Sequence, residues 1–200
     1  MTEPRIQHIY CSAAITKKMC DALTGFIFSA SAAGKIDEFV LYLVTGGGSP
    51  GCGMELYNFF KARPERTTIY NMANVDSAGV LFFLGFAKRY GTPSCSFMVH
   101  QTKFSKAMLP EWYSHSDLTK SEQELLGVDH KTHAVIATET APLSQIALSH
   151  EDVAAAAAKT TVYFADEALR HGFIGQIMTP VMPTEGVFYL TDQYLSGLPD

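Results

Sequence analysis

Hydrophobic residues in the first hundred positions follow two alternating patterns, one typical of buried strands and one typical of amphipathic helices. Strand-like runs cover residues 6–12, 39–44, 67–72 and 97–99. The run FVLYLV at 39–44 is almost wholly apolar, as in a parallel strand that is buried on both faces. Apolar residues at helical spacing predict helices over 15–31, 54–61 and 76–88. This alternation predicts right-handed crossovers and a layered α/β fold.

The second half of the chain carries a different pattern. Residues 121–159 predict a long, mostly helical stretch that is interrupted near Ala141 and Pro142. A short helix over 166–171 is ended by Gly172, and a strand is possible at 187–190. Because neither a linker nor a repeat is visible, we interpret residues 1–200 as a single domain with a protruding helical part.

Composition excludes several classes of function. Hydrophobic residues make up 47% of the chain and charged residues 18%, and the net charge is −5. No basic footprint for phosphates is present, so we expect no nucleic-acid partner. No apolar stretch approaches the ~18 residues of a membrane span, and the N-terminus does not resemble a signal peptide, so we expect a cytoplasmic protein away from membranes. The low charge fits an oligomer that buries apolar surface between subunits.

Disulfide and metal signals are weak. The four cysteines are scattered without a CxxC motif, and we interpret them as buried, reduced thiols. Asp129, His130 and His133 have a spacing that could bind a metal, but a third strong ligand is not close in sequence, so a solvated helix face is the simpler interpretation. We therefore expect neither a cofactor nor a metal.

Three features in consecutive strand–helix units could carry chemistry. Gly46, Gly47 and Gly48 follow a buried strand, where they form either a tight turn or a set of backbone N–H donors. Ser77 stands at a predicted helix start, as an ordinary N-cap or as a nucleophile. His100 ends a strand, as a hydrogen-bonded side chain or as a general base. Donors, nucleophile and base together are what serine acyl chemistry requires.

The segments that contain these features resemble the proteolytic subunit of the ATP-dependent Clp protease, ClpP. The matching segments, in chain order, are LVTGGGSPGCGMELY, VDSAGVLFFLGFAKRYGTP, MVHQ and ADEALRHGFIGQI. The resemblance covers roughly residues 5–178. It implies an α/β ClpP/crotonase-like fold of repeated ββα units, with a helical handle at about residues 105–158.

By position, the resemblance also implies roles for individual residues. Ser77 corresponds to the nucleophile and His100 to the general base, while the backbone N–H groups of Gly48 and Ala78 correspond to the oxyanion hole. The implied function is a serine endopeptidase that hydrolyses peptides or unfolded proteins. In such proteins the chain assembles into a heptamer or a double ring, to which an AAA+ unfoldase docks.

Three positions depart from the family pattern. Thr160 occupies the place of the third triad residue, an aspartate, and would accept only a hydrogen bond from the histidine. Asp152 or Glu151 could substitute if that segment is displaced. Asp76 places a charge beside the nucleophile, where the family has small residues. The family's N-terminal axial loop has no counterpart ahead of residue 5, so docking of an unfoldase stays open.

These departures keep two other functions under consideration. One is a catalytically weakened or inactive ClpP-like subunit that retains the fold and the assembly. The other is a crotonase-type acyl-CoA enzyme, which has the same fold but needs no Ser–His pair. The coincidence of Ser77 and His100 with the positions of the peptidase pair favours the peptidase.

Overall fold

A computed structural model describes residues 4–103 and 114–198. Its strands are β1 (Ile6–Ser12), β2 (Glu38–Thr45), β3 (Arg66–Asp76), β4 (Lys88–Gly91), β5 (Ser96–Val99), β6 (Thr161–Phe164), β7 (Gln176–Ile177) and β8 (Val187–Thr191). Its helices are α1 (Lys17–Ala32), α2 (Pro50–Lys61), α3 (Ala78–Leu84), α4 (His115–Thr140), α5 (His150–Lys159), α6 (Ala165–Arg170) and α7 (Asp192–Ser196). Over the described ranges, no helix has both the length and the apolarity needed to cross a membrane.

The strands form one branched sheet in the order β6-β5-β3-β2-β1-β8, in which β4 branches from β3 and β7 pairs with β4. All pairings are parallel except that of β5 with β6. Strand β3 has two partners on the same side, because its residues 68–71 pair with β4 and its residues 74–76 pair with β5. The last residues of β3 therefore lead directly to the neighbourhood of β5.

The core lies between this sheet and the helices, as the apolar runs predict. Phe39, Leu41 and Leu43 of β2 are fully buried, and every residue of α3 is buried. A strand this apolar needs cover on both faces, which the crossover helices of a parallel sheet supply. The predicted α/β alternation is confirmed.

Several predicted boundaries were wrong for physical reasons. The helix predicted over 76–88 is only Ala78–Leu84, because Ser77 has a left-handed φ of 56° that cannot begin a helix, and Lys88 already belongs to β4. The stretch predicted over 121–159 is two helices, separated by a 3-10 turn at Ala141–Leu143 and by non-helical residues 144–149. Each of the two helices starts at its own serine capping box.

The helical handle predicted at about 105–158 corresponds to α4, the 3-10 turn and α5, while its residues 105–113 lie outside the described residues. The buried residues of α4 all lie in its second half, and they are His133, Ile136 and Thr140. The first half has no buried side chain, and Leu118 and Leu126 are exposed. The start of α4 therefore extends away from the core.

Candidate active site

Ser77 occupies a strained turn between β3 and α3. Its φ of 56° and ψ of −125° are rare for a residue other than glycine, and such strain is retained mainly where the surrounding structure enforces it. One such restraint is the Ser77 N–H, which donates to the carbonyl oxygen of Met98 over 2.8 Å. Ser77 stands at the N-cap position of α3, but its side chain makes no capping hydrogen bond, so it does not act as an ordinary capping serine. Ser77 is one of the residues that line a pocket.

The glycine loop after β2 lies directly against this serine. A Cβ atom on Gly47, whose φ is +89°, would lie 2.6 Å from the Cβ of Ser77 and 2.7 Å from the Asp76 carbonyl oxygen. Two hydrogen bonds fix the loop: the Gly47 N–H donates to the Thr45 hydroxyl over 3.1 Å, and its carbonyl accepts from the Ile15 N–H over 2.8 Å. Only glycine fits a backbone that approaches the serine this closely.

Two backbone donors border the same pocket. Gly48 and Ala78 line it together with Ser77 and His100. Within the described part of the chain, no hydrogen bond uses the N–H of Gly48 or of Ala78. Ala78 is the first residue of α3, where a backbone N–H has no partner inside the helix. Both groups are therefore free to donate to a ligand oxygen.

His100 follows the last residue of β5 and is half-buried. Its Nδ1 lies 2.6 Å from the carbonyl oxygen of Gln101. A carbonyl only accepts, so Nδ1 carries the proton in this hydrogen bond and Nε2 keeps its lone pair. Over the described ranges no hydrogen bond joins His100 to the Ser77 hydroxyl, although both line the pocket. Such bonds often form only when substrate is bound.

Thr160 lies one step beyond the ladder between β5 and β6. The last pair of this antiparallel ladder joins Val99 to Thr161, so the next position sets Thr160 opposite His100. Thr160 ends α5 in a left-handed conformation, with φ at 54°, and is exposed. Its N–H donates to the Ala157 carbonyl oxygen over 3.1 Å. The backbone thus brings Thr160 near His100, while the histidine ring is hydrogen-bonded to Gln101.

The two acidic alternatives to Thr160 lie elsewhere. The Asp152 carboxylate accepts from the Ser149 N–H over 2.9 Å and closes the capping box at the start of α5. Glu151 is exposed in the same first turn. Thr160 is at the other end of this helix, about 12 Å away at 1.5 Å per residue. Neither acid is displaced toward His100, so this alternative was wrong.

Helix α4 forms one wall of the pocket, which sequence reasoning did not foresee. Thr132 and Ile136 line it opposite the α3 side. The Asp129 carboxylate, one turn earlier, accepts from the Thr102 N–H over 2.8 Å and so holds the segment that follows His100. The only signal in the sequence was Asp129 itself, and no local pattern shows that α4 packs against the segment around His100.

The histidines of α4 pack against the start of α5. The ring of His150 lies 4.7 Å from that of His130 and 5.5 Å from that of His133, measured between centroids. In the described part of the chain, no group of three or more His, Cys, Asp or Glu side chains is arranged to hold a metal ion. All four cysteines are buried and free, as predicted.

Comparison with known proteins agrees with this architecture. The family model described as Clp protease matches residues 4–181. Among solved structures, a mutant of ClpP1 from Listeria monocytogenes superposes with a TM-score of 0.74 at 15% sequence identity. The match covers 87% of this chain and 92% of that one. The structural likeness confirms the predicted ClpP fold.

Proposed function

Because the chain belongs to the Clp protease family, we propose that it is a ClpP-like serine endopeptidase acting on peptides or unfolded proteins. The observation that carries this proposal is the set of groups around one pocket. Ser77 and His100 border it, together with the free N–H groups of Gly48 and Ala78. These are a nucleophile, a base and two oxyanion donors.

The proposed reaction follows from these groups. The Ser77 Oγ attacks the peptide carbonyl carbon while its proton passes to Nε2 of His100. The C=O electron pair moves onto oxygen, and Gly48 and Ala78 donate hydrogen bonds to this oxyanion. Collapse breaks the C–N bond, and the amine leaves with the proton from Nε2. Water then hydrolyses the acyl ester by the same route, which yields a carboxylic acid and restores Ser77.

The hydrogen bond between His100 and Gln101 supports the role of the histidine. A base that accepts the serine proton at Nε2 must carry its own proton at Nδ1, and the Gln101 carbonyl selects this tautomer. Thr160, which follows the ladder opposite His100, is the proposed third position. Its hydroxyl can accept from Nδ1 of the ring only in place of the Gln101 carbonyl, and it brings no charge.

We also propose that the enzyme works in a heptameric ring or a double ring. Large apolar side chains remain exposed on the isolated chain, including Phe28, Leu126 and Phe164, each about 60% accessible. This surface and the low charged fraction fit a protein whose faces are covered by further copies of itself. An AAA+ unfoldase is a possible partner of such a ring.

Two observations favour a second function, a weakened or inactive subunit that serves the assembly alone. Ser77 and His100 are not hydrogen-bonded to each other, and Thr160 lacks the charge of the family's aspartate. Loss of the orienting carboxylate costs a serine protease about 10⁴-fold in kcat, although binding and oxyanion stabilisation leave activity above water.

Hydrolysis of fluorogenic peptides and of an unfolded protein distinguishes the two functions. The wild-type protein and Ser77→Ala are compared at matched assembly state, measured by analytical ultracentrifugation. A peptidase cleaves, and Ser77→Ala abolishes the cleavage while the particle stays intact. If the wild-type particle is intact but cleaves no faster than Ser77→Ala, the assembly role is the remaining function.

A further inference from the structure

We propose that Asp76 is a positioning residue whose carboxylate supplies the negative charge that stabilises the protonated ring of His100. This charge would compensate for the uncharged Thr160. The inference rests on the proposed peptidase function, because it concerns the base of that reaction. Asp76, which stands where the family has small residues, would then be part of the site.

The strand register puts Asp76 and His100 on the same face of the sheet. Asp76 pairs with Met98 in the parallel ladder of β3 and β5. Side chains alternate along a strand, and extending this alternation one residue past the end of β5 puts His100 on the side of Met98 and Asp76. The intervening Val99 is buried and lines the pocket next to His100.

Asn74 fixes the carboxylate at this edge. Its Nδ2 donates to Oδ2 of Asp76 over 3.0 Å and to the carbonyl oxygen of Thr45 over 3.0 Å. Thr45 ends β2 and also anchors the glycine loop through its hydroxyl. The position of the carboxylate is thereby tied to the loop that borders Ser77.

Electrostatics agree with this geometry. Partial burial raises the pKa of Asp76, and the hydrogen bond from Asn74, the Met98 N–H and the charge of His100 all act in the opposite direction. A half-buried acid beside a nucleophile costs stability, which is typical of a group kept for function.

Among the residues that the structure describes, few other charges surround this pair. Lys103 lines the same pocket, and its positive charge would disfavour a protonated His100. Asp129 of α4 is engaged with the Thr102 N–H. Thr160, the neighbour from the β6 side, is neutral. Asp76 is therefore the acid that the two strands place on the face of His100.

The reaction needs this charge when His100 becomes an imidazolium. As the proton leaves Ser77 for Nε2, the ring gains a positive charge while Nδ1 still donates to the Gln101 carbonyl. A nearby carboxylate stabilises that state by an amount equivalent to about one to two pH units for partly buried charges. Its removal would therefore slow acylation about 10- to 100-fold.

The test compares Asp76→Asn with two matched variants, Thr160→Val and Asp76→Glu. The first readout is the pH profile of Ser77 labelling by a fluorophosphonate probe. The second, independent of activity, is modification of His100 by diethyl pyrocarbonate, which attacks neutral imidazole, located by mass spectrometry. Thermal unfolding confirms that each variant is folded.

We expect Asp76→Asn to slow labelling 10- to 100-fold and to lower the pH midpoint of His100 modification. Asp76→Glu should keep the wild-type midpoint, and Thr160→Val should leave it unchanged. An unchanged midpoint in Asp76→Asn would overturn the proposal, whether or not the wild type is labelled. Absence of label on wild-type Ser77 would instead count against the peptidase function. The pH midpoint of His100 modification would still show whether Asp76 interacts with His100.

Discussion

Substitution of Gly47 by alanine is expected to disable the site, although residue 47 contributes no side chain to the chemistry. The new Cβ would lie 2.6 Å from the Cβ of Ser77 and 2.7 Å from the Asp76 carbonyl oxygen. Neither neighbour can yield cheaply, because Ser77 is already held by its bond to Met98 and Asp76 by its ladder with β5. The loop must therefore move away from the serine.

Two costs determine the size of the effect. An alanine at a φ of +89° is strained by about 1–2 kcal/mol, which lowers the free energy of unfolding. Movement of the loop also displaces the adjacent N–H of Gly48, and the loss of one oxyanion donor costs about 10²–10³ in kcat, or roughly 3–4 kcal/mol. The loss of activity should thus exceed the loss of stability.

Gly46→Ala is the matched control in the same loop. A Cβ on Gly46 has no heavy atom within 4 Å, and its φ is not in the left-handed range. The measurements are peptide hydrolysis and urea unfolding of both variants. We expect Gly46→Ala to stay within about twofold of wild type and Gly47→Ala to lose at least 100-fold. Equal activities of the two variants would refute the proposed role of this loop.

Three further predictions concern stability. Arg89 is buried and donates to the carbonyl oxygens of Glu139 over 2.7 Å and of Phe173 over 3.0 Å. Arg89→Met should therefore lower the free energy of unfolding by about 3 kcal/mol or more, whereas Lys88→Met, at an exposed neighbour, should not. Equal urea midpoints of the two variants would contradict this prediction. Burial lowers the pKa of His133, so the contribution of this histidine to stability is present above pH 6.5 and is lost as the pH falls from 6.5 through the lowered pKa. His133→Phe should therefore reduce the drop in melting temperature between pH 7.5 and pH 5.5. A drop as large as that of the wild type would count against this prediction. The pKa of Asp76 is raised, so the contribution of this residue to stability is present below pH 3.8 and is lost as the pH rises through the pKa of the folded state. Asp76→Asn should therefore melt at a higher temperature than the wild type at pH 7 but not at pH 3. A lower melting temperature of the variant at pH 7 would contradict this prediction.

Much of the fold was predictable because its signals are local. The apolar run of β2 and the helical spacing of α1 follow from neighbouring residues, and the two predictions differ from the structure by one or two residues at most ends. The pocket that contains Ser77 and His100 was predictable because strand ends in consecutive units meet at one edge of a parallel sheet.

Features that depend on distant pairing were not predictable. Strand β4 reads as the end of a helix, because nothing in its sequence shows that Arg89 would be buried among the carbonyls of residues 139, 172 and 173. Strand β6 is short, and two of its residues, Val162 and Phe164, are exposed. The partner of His100 is a backbone carbonyl, which every residue has, so no residue type could reveal it.

Covalent labelling of Ser77 is the direct test of whether this serine is a nucleophile. The folded, assembled wild-type protein is treated with a fluorophosphonate probe, and the modified peptide is identified by mass spectrometry beside Ser77→Ala and His100→Ala. We expect a label on Ser77 that disappears in Ser77→Ala and forms at least 100-fold more slowly in His100→Ala, the scale of general base catalysis. A wild-type protein that carries no label at Ser77 in any assembly state would contradict it.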